Sequence, residues 1–490
     1  MAGDTEALPA PNPLRWKALI GLALVQFIIF LDATNVNVAL PSIQHDLGLS
    51  RSELTWVVNA YLIAAGGLLL LGGRLGDLVG RRRVFTAGAA LLAVASLTAA
   101  LSTSSAMLIG SRFAQGVGEA LAAPAALSMV ALLFTDERER TKALGIWGGL
   151  AGLGAASGVL LSGVLTDLAG WHWIFYIGVP PCVISLVMTL RLVPESKETG
   201  AGRTSWPGAV LLTGGMVAVV HGLLSGITHP WSGLTVLGPL VGGVLAIAVF
   251  ALLQLRSATP LIPLRFFTSR TRLTGYAGQV FMAVSTSAMF FLVVLYMQQT
   301  VHYSPLESGL AWLPYTVLFI PGLVISTKLM PVVGSRVLLS AGLFVIGVGI
   351  FLFSLLGGGG GFVTGLLPGM ALAAFGSGLA APALQLSALD GVSPQNAGLG
   401  SGVLTSLQQI SQSLGLSVIV TIGLSHEHAL LGSGTSAAKA AEQGRSLSFV
   451  IAGAVLAVGA IVCYAITNRT IKPVAGADGA DGTDALPATA

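Results

Sequence analysis

The chain has 490 residues, of which 54% are hydrophobic and only 9% are charged, and its mean hydropathy is +0.85. Soluble proteins carry about 25% charged residues, so this composition excludes a water-soluble protein. The net charge of +4 is too small for a nucleic-acid-binding surface, and the two cysteines, Cys182 and Cys463, both lie in apolar stretches and exclude a disulfide framework.

Apolar stretches of about 20 residues predict an all-α integral membrane protein with fourteen transmembrane helices. In chain order they cover residues 17–40, 53–73, 84–103, 106–133, 144–166, 173–193, 206–227, 234–255, 273–297, 308–327, 336–356, 362–384, 400–424 and 446–467. Of the 24 Lys and Arg residues, 20 fall on one side of the membrane, three on the other and one, Arg112, within a helix. By the positive-inside rule this split predicts a multi-pass protein of the cell (inner, cytoplasmic) membrane with both termini in the cytoplasm.

The order of the helices predicts five regions. Residues 1–13 and 468–490 are rich in Pro, Ala, Gly and Asp, and we expect disordered cytoplasmic tails there. Between the tails we expect an N-terminal six-helix bundle at 14–193, two inserted transmembrane helices with their linkers at 194–272, and a C-terminal six-helix bundle at 273–467.

An internal repeat supports two pseudo-symmetric six-helix bundles. Three motifs recur at offsets of 258, 244 and 254 residues: Gly118–Pro124 and Gly376–Pro382, Ser157–Leu160 and Ser401–Leu404, and Gly80–Arg82 and Gly334–Arg336. Chance similarity in an Ala- and Gly-rich sequence explains any single match, whereas three matches in the same order favour duplication. Two parallel halves around a central path are typical of transporters.

Four ionisable residues lie deep within the predicted helices: Asp32, Arg112, Glu119 and His221. The first three are candidates for proton coupling, whereas a lone His in a Gly-rich helix is more typical of an interior residue. A charge in the bilayer is costly unless it faces a cavity or a partner, so such residues are functional candidates. Arg112 and Glu119 are seven residues apart and therefore share a helix face. Burial favours the protonated carboxyl of Glu119 while the guanidinium favours the carboxylate, so this group can bind and release protons. The alternatives are a structural ion pair for Arg112 and Glu119, and a local helix cap for Asp32.

Four motifs stand out along the chain: Gly73-x-Leu75-x-Asp77-x-x-Gly80-Arg81-Arg82, Leu31-Asp32-x-Thr34-x-x-Asn37-Val38-Ala39-Leu40-Pro41, Arg112-x-x-Gln115-Gly116-x-Gly118 and Trp171-x-Trp173-Ile174-Phe175. Together they resemble the motifs of the major facilitator superfamily and its fourteen-span drug:proton antiporters. The first resembles the family's loop signature, the second its first-span motif, the third its proton-transfer motif and the fourth its connection between spans 5 and 6. The resemblance extends over all fourteen spans.

This resemblance implies alternating access by rocking of the two bundles and proton-driven export of hydrophobic drugs, antibiotics or secreted metabolites. It assigns proton coupling to Asp32 and Arg112, whereas Glu119 rests on the burial argument. It assigns the conformational latch to Gly73, Asp77, Gly80, Arg81 and Arg82.

Small residues in the fifth span form a helix-packing motif at Gly148, Gly152, Gly154 and Gly158. The family signature in this span ends in a Gly-Pro pair, and here Val159 follows Gly158. Because export is inferred from that signature, a proton-coupled importer of a small nutrient stays an alternative. A membrane sensor that transports nothing is a second alternative, which the costly charges within the helices disfavour.

Polar, aromatic and methionine side chains within the helices are candidates for the substrate cavity: Gln26, Phe30, Asn59, Tyr61, Gln279, Phe281, Met282 and Tyr296. The chain contains no Gly-x4-Gly-Lys-Ser/Thr motif, so neither a nucleotide nor any other cofactor is expected. We predict a secondary active transporter rather than an enzyme. Its expected partners are a small hydrophobic substrate, protons and the lipid bilayer, with no metal and no nucleic acid, and we expect a monomer.

Overall fold

The structure is a computed structural model that describes residues 14–134, 136–197, 206–257, 268–357, 361–392 and 397–466. These residues form α-helices with short π and 3-10 segments, and they contain no β-strand. The expected disordered tails, 1–13 and 468–490, lie outside the described residues.

The helices follow one another with short connections. The first half of the chain forms α1 Arg15–Leu47, α2 Arg51–Val79, α3 Arg81–Ala100, α4 Ser105–Leu133, α5 Glu137–Ala169, α6 Trp173–Tyr176 and α7 Val179–Leu192. Next come α8 Trp206–Ser225 and α9 Leu234–Arg256. The second half forms α10 Arg270–Leu295, α11 Pro305–Ala311, α12 Leu313–Leu352, α13 Leu367–Ala388, α14 Ala397–Gly432 and α15 Ala437–Ile466.

Twelve helical stretches among the described residues are long and apolar enough to cross a membrane, where the sequence predicts fourteen. One of the twelve, Pro305–Leu355, covers two predicted spans in a single stretch. The span predicted at 144–166 lies in α5, where only Ser157–Ala169 stands out as a shorter apolar helix. The fold is therefore an all-helical membrane bundle.

A glycine with positive φ interrupts the helix at matching places in the two halves. Gly80 has φ 123° and separates α2 from α3, while Gly334 has φ 76° and ψ 166° and breaks α12 internally. A residue with a Cβ rarely adopts this conformation, so glycine is required at both turns. The two glycines are the first residues of the motif that repeats at an offset of 254.

The repeat also appears in close helix packing at matching places of the two halves. A Cβ added at Gly88 on α3 would lie 2.8 Å from the carbonyl oxygen of Gly118 on α4. A Cβ added at Gly342 on α12 would lie 2.8 Å from the carbonyl oxygen of Gly376 on α13. Helices in a membrane gain little from hydrophobic burial, so such backbone contact through small residues holds them together.

The helices α8 and α9 attach to the outside of the bundle. Leu212, Met216 and Val220 of α8 pack with Ile63 of α2. Only 17% of the apolar stretch of α9 is buried, and α8 is the helix that packs against it most extensively. An apolar helix with this much uncovered surface is suited to lipid.

The two halves contact each other through α2 and α14. Arg51 Nη1 lies 2.6 Å from Glu427 Oε2, and Asn59 Nδ2 donates to Ser417 Oγ at 2.9 Å. Both bonds lie in the half of the bundle that contains the α1–α2 connection, opposite the end at which Leu14 lies. We call this the closed end.

Gly118→Ala and Gly376→Ala are each expected to destabilise the protein by about 1–3 kcal/mol, because the new methyl group overpacks a backbone contact. Gly110→Ala, on α4 like Gly118, is the matched control, since nothing lies within 4 Å of its added Cβ. Thermal unfolding of the purified full-length protein measures the effect. Equal melting temperatures for all three variants would contradict this packing.

Candidate functional site

A buried ion pair joins α1 to α4 at the centre of the first half. Arg112 Nη1 contacts Asp32 Oδ2, and the two residues are 2% and 4% exposed. The same guanidinium donates to Val57 O at 3.2 Å and to Gln115 Oε1 at 2.8 Å, and it lies 4.4 Å from the centroid of the Tyr61 ring. The structure thus brings together two of the three predicted coupling residues.

Glu119, the third, does not pair with Arg112 as the shared helix face suggested. Its Oε1 accepts a hydrogen bond of 3.1 Å from Nε2 of Gln409 on α14. Its Oε2 makes no hydrogen bond of normal geometry among the described residues, although the neighbouring hydroxyl of Tyr61 interacts with this carboxyl. Among the described residues Glu119 therefore has a buried carboxyl, 3% exposed, without an ion-pair partner.

The sequence reasoning did not identify Gln409. The signal that marks it is the pair Gln408–Gln409 within a stretch of α14 that has no ionisable side chain. A primary amide in a membrane helix needs a polar partner, which makes such a pair a candidate for contact with another helix. Sequence alone does not reveal which helix supplies that partner.

The predicted latch residues form a cluster of charges within the first half. Arg81 Nη2 lies 2.8 Å from Asp77 Oδ1, one helical turn away across the break at Gly80. Arg82 donates from its backbone N–H to Glu195 Oε1 at 3.0 Å and from Nη1 to Val193 O at 3.2 Å. Glu195, which follows α7, was not predicted as part of this cluster.

The latch glycines differ in their surroundings. A Cβ added at Gly80 would lie 2.6 Å from Glu195 Oε1, so glycine leaves room for this carboxylate. A Cβ at Gly73 would meet Pro124 at 3.5 Å, an ordinary contact. Only Gly80 therefore requires the absence of a side chain.

Two of the four predicted packing glycines bring α5 against α1. A Cβ at Gly154 would lie 2.7 Å from Phe30 Cβ, and one at Gly158 would lie 3.2 Å from the carbonyl carbon of Leu31. Gly158 thus approaches the turn of α1 that carries Asp32. The surroundings of Gly148 and Gly152 lie outside the described part of the chain.

The predicted cavity residues do not all gather in one place. Three of them have engaged side chains: Asn59 bonds to Ser417, Tyr296 Oη donates to Gly357 O at 3.0 Å, and Phe281 packs against Gly459 of α15.

The other five predicted cavity residues differ in burial and in their contacts. Gln26 Oε1 and Gln279 Nε2 are buried without a partner. Tyr61 stacks on the Arg112 guanidinium, while Phe30 and Met282 are half-buried.

A groove at the closed end lies between the two halves. It encloses about 610 Å³, including the part open to solvent, and Arg51, Glu427 and Arg445 line it with Tyr296. Of the predicted cavity residues, only Tyr296 belongs to this groove. The described residues contain no cluster of His, Cys, Asp and Glu able to hold a metal ion.

Comparisons with known proteins agree on one family. Residues 22–416 match the model of the Major Facilitator Superfamily. The chain is 33% identical to the puromycin resistance protein pur8 of Streptomyces alboniger, over 99% of this chain and 97% of that protein. It is 36% identical to the lincomycin resistance protein of Streptomyces lincolnensis, over 84% and 85%, and 36% identical to the cephamycin export protein CmcT of Amycolatopsis lactamdurans, over 86% of each.

A similar fold occurs among solved structures. The crystal structure of a bacterial homologue of the human lysosomal transporter Spinster, inward-facing and unoccupied, superimposes with a TM-score of 0.66. The two chains share 16% identity, and the match covers 93% of this chain and 97% of the other. At this identity the similarity concerns the fold.

Arg112→Met is expected to destabilise the protein by about 3–5 kcal/mol, because it leaves the Asp32 carboxylate buried without its cation. The double variant Asp32→Leu with Arg112→Met removes both charges and is expected to recover most of this loss. Arg83→Met, at a side chain that is 72% exposed, is the control. Thermal unfolding of the full-length protein measures the stability of all three variants. An Arg112→Met protein as stable as the Arg83→Met control would contradict the role of the ion pair.

Proposed function

Because this chain belongs to the major facilitator superfamily, we propose that it exports hydrophobic drugs, antibiotics or secreted metabolites by alternating access, in exchange for protons. Membership of the family confirms the prediction made from the motifs. The chain is a membrane-spanning transporter rather than an enzyme. The names of three relatives, which refer to resistance to puromycin, resistance to lincomycin and export of cephamycin, support export as the direction.

The unpaired carboxyl of Glu119 is the observation that carries the proposed proton coupling. Asp32 has Arg112 as its counter-ion, so the charges of that pair compensate each other within the bundle. Glu119 has no such cation among the described residues. A bound proton neutralises its carboxylate and therefore lowers the free-energy cost of burial more than it would for the paired Asp32. We therefore assign the exchanged proton to Glu119, and to Asp32 and Arg112 the charge pair that surrounds it.

The substrate is proposed to lie between the halves, near the buried polar atoms that have no partner. Gln26 Oε1 and Gln279 Nε2 supply an acceptor and a donor, and the half-buried Phe30 and Met282 supply adaptable apolar surface. Such a site suits a small hydrophobic compound with few polar groups. The protein needs neither nucleotide nor nucleic acid for this exchange, and we propose that it acts as a monomer.

We further propose fourteen transmembrane helices, arranged as bundles at 14–193 and 273–467 with the inserted pair at 194–272. The 33 residues of α5 extend about 50 Å at 1.5 Å per residue, more than a bilayer core requires. The break at Gly334 divides Pro305–Leu355 into two segments of spanning length. With fourteen crossings, the bias of the basic residues supports our proposal that both termini lie in the cytoplasm and that the membrane is the inner, cytoplasmic membrane.

The cluster of Asp77, Arg81 and Arg82 is proposed as the conformational latch on the cytoplasmic face. Its pairs with one another and with Glu195 tie α2, α3 and the segment after α7 into one rigid corner. A rigid corner at a helix break lets the first half move as a unit during rocking.

The proton exchange is tested in inside-out vesicles with an acidic lumen, using puromycin, lincomycin and a cephamycin as probes. Adding a transported compound is expected to raise the luminal pH, reported by a trapped pH-sensitive dye. Asp32→Asn and Glu119→Gln are each expected to reduce this proton movement at least about tenfold, as expected for a group essential to proton transfer.

Asp167→Asn, at an exposed carboxyl on α5, is the matched control and is expected to behave like the wild type. Wild-type proton movement in the Asp32→Asn protein would contradict its coupling role. Lower accumulation of a labelled compound in cells that lack the protein would indicate import instead of export.

The proposed topology is tested by labelling single introduced cysteines with a membrane-impermeant maleimide in intact cells. His229→Cys and Ser436→Cys are expected to react, and Asp136→Cys is expected to react only after lysis. The three positions are exposed, whereas Cys182 and Cys463 are buried and serve as the unreactive background. If α5 did not cross, positions 229 and 436 would both move to the other side, and if α12 crossed only once, position 436 alone would move.

A further inference from the structure

One buried hydrogen bond connects the proposed proton site to the other half of the protein. Glu119 lies on α4 and Gln409 on α14, 290 residues later, and the amide Nε2 donates to the carboxyl Oε1 at 3.1 Å. Glu119 is 3% exposed and Gln409 is 9% exposed. Among the described residues, this amide supplies the hydrogen bond that the carboxyl receives from the second half, whereas Tyr61 interacts with it from the first half.

Neighbouring contacts hold Gln409 in place. A Cβ added at Gly66 on α2 would lie 2.8 Å from Gln409 Cβ and 3.0 Å from Ile410 Cγ1, so α14 approaches α2 closely only because residue 66 is glycine. Nearly one turn before Gln409, the hydroxyl of Ser406 donates to the carbonyl of Gly66. The amide therefore reaches Glu119 from a helix that is docked at this level.

The ionisable groups around Glu119 all belong to the first half. Tyr61 on α2, Asp32 on α1 and Arg112 on α4 interact with it electrostatically. Between residues 397 and 425, α14 has no ionisable side chain. Among the described residues, no charge of the second half acts on Glu119, whereas Gln409 touches the carboxyl directly.

We propose that Gln409 is the positioning residue through which the second half senses whether Glu119 carries a proton. This inference rests on the proposed role of Glu119 as the proton site. A hydrogen bond to a carboxylate is roughly twice as strong as one to a neutral carboxyl group. The charged form of Glu119 therefore holds α14 against the first half more firmly, and a bound proton loosens that contact.

Loss of this contact is linked to proton binding in both directions. If a proton on Glu119 favours separation of the halves, separation must favour proton binding by the same factor. The contact lies at the inner limit of the closed end, beside the other bonds that cross between α2 and α14. Opening of that end would therefore break the hydrogen bond between Gln409 and Glu119, which a bound proton weakens.

The experiment measures the distance between the halves as a function of pH. Spin labels are attached at Thr103→Cys and Ser436→Cys, at the closed end of the first and second half, in the full-length protein in lipid nanodiscs. In the wild type, lowering the pH from 8 to 5 is expected to reduce the ratio of closed to separated molecules. In Gln409→Leu this pH-induced change is expected to shrink about fivefold or more, the lower range of typical coupling between two sites.

Gln408→Leu is the matched control, because it removes the same amide from the adjacent position, which has no hydrogen bond to Glu119, and it is expected to keep the wild-type response. Gln409→Met is a second variant of similar length in case the branched leucine disturbs folding. A purely structural role for Gln409 would change the stability of the protein and leave the pH dependence of the distance unaltered.

Two outcomes would overturn the inference: a wild-type distance that does not respond to pH, or an unchanged response in both Gln409 variants. Glu119→Gln separates this result from failure of the proposed function. If the pH response and the proton movement survive in Glu119→Gln, the proton site itself is wrong. If Glu119→Gln abolishes both and the Gln409 variants retain both, only the sensing role of Gln409 is wrong.

Discussion

The cost of burying charge in an apolar bundle governs the arrangement of the first half. Arg112 is 2% exposed, and a guanidinium at that depth needs an anion and further acceptors. It obtains them from Asp32 on α1, Val57 O on α2 and Gln115 on its own helix. One side chain therefore holds three helices in register, and the close approach of α5 at Gly158 packs against the same turn of α1.

Packing of the remaining helices depends on glycine. In lipid the hydrophobic effect does not drive apolar helices together, so close backbone contact at small residues stabilises their association. Gly88 with Gly118, and Gly342 with Gly376, allow backbone contact at equivalent places in the two halves. Each half can thus remain rigid through contacts between main chains. At the interface between the halves, side-chain bonds such as Arg51–Glu427 and Asn59–Ser417 accompany close glycine contacts at Gly66 and Gly163. Polar bonds of this kind can be broken and remade, as rocking of one half against the other requires.

Much of the fold follows from one-dimensional patterns. Low charge and apolar stretches of spanning length specify a helical membrane protein, and the helices α1 to α15 overlap the predicted spans. The repeat around Gly80 and Gly334 is visible in the sequence because both positions need a backbone conformation that favours glycine. The division of Pro305–Leu355 is visible as well, since Lys328, Ser335 and Arg336 lie around the break at Gly334 and separate the two predicted spans.

The scarcity of ionisable residues within the helices makes Asp32, Arg112 and Glu119 visible as functional candidates. Burial of each charge in the bilayer costs free energy unless the side chain faces a partner or a cavity. Their pairing was not predictable from the same information. Helical periodicity relates residues of one helix and suggested Arg112 with Glu119, whereas packing between helices pairs Arg112 with Asp32 and Glu119 with Gln409. Packing between distant segments likewise pairs Glu195 with Arg82. Sequence patterns thus specify which residues must find partners, and the choice among partners depends on how distant helices come together in space.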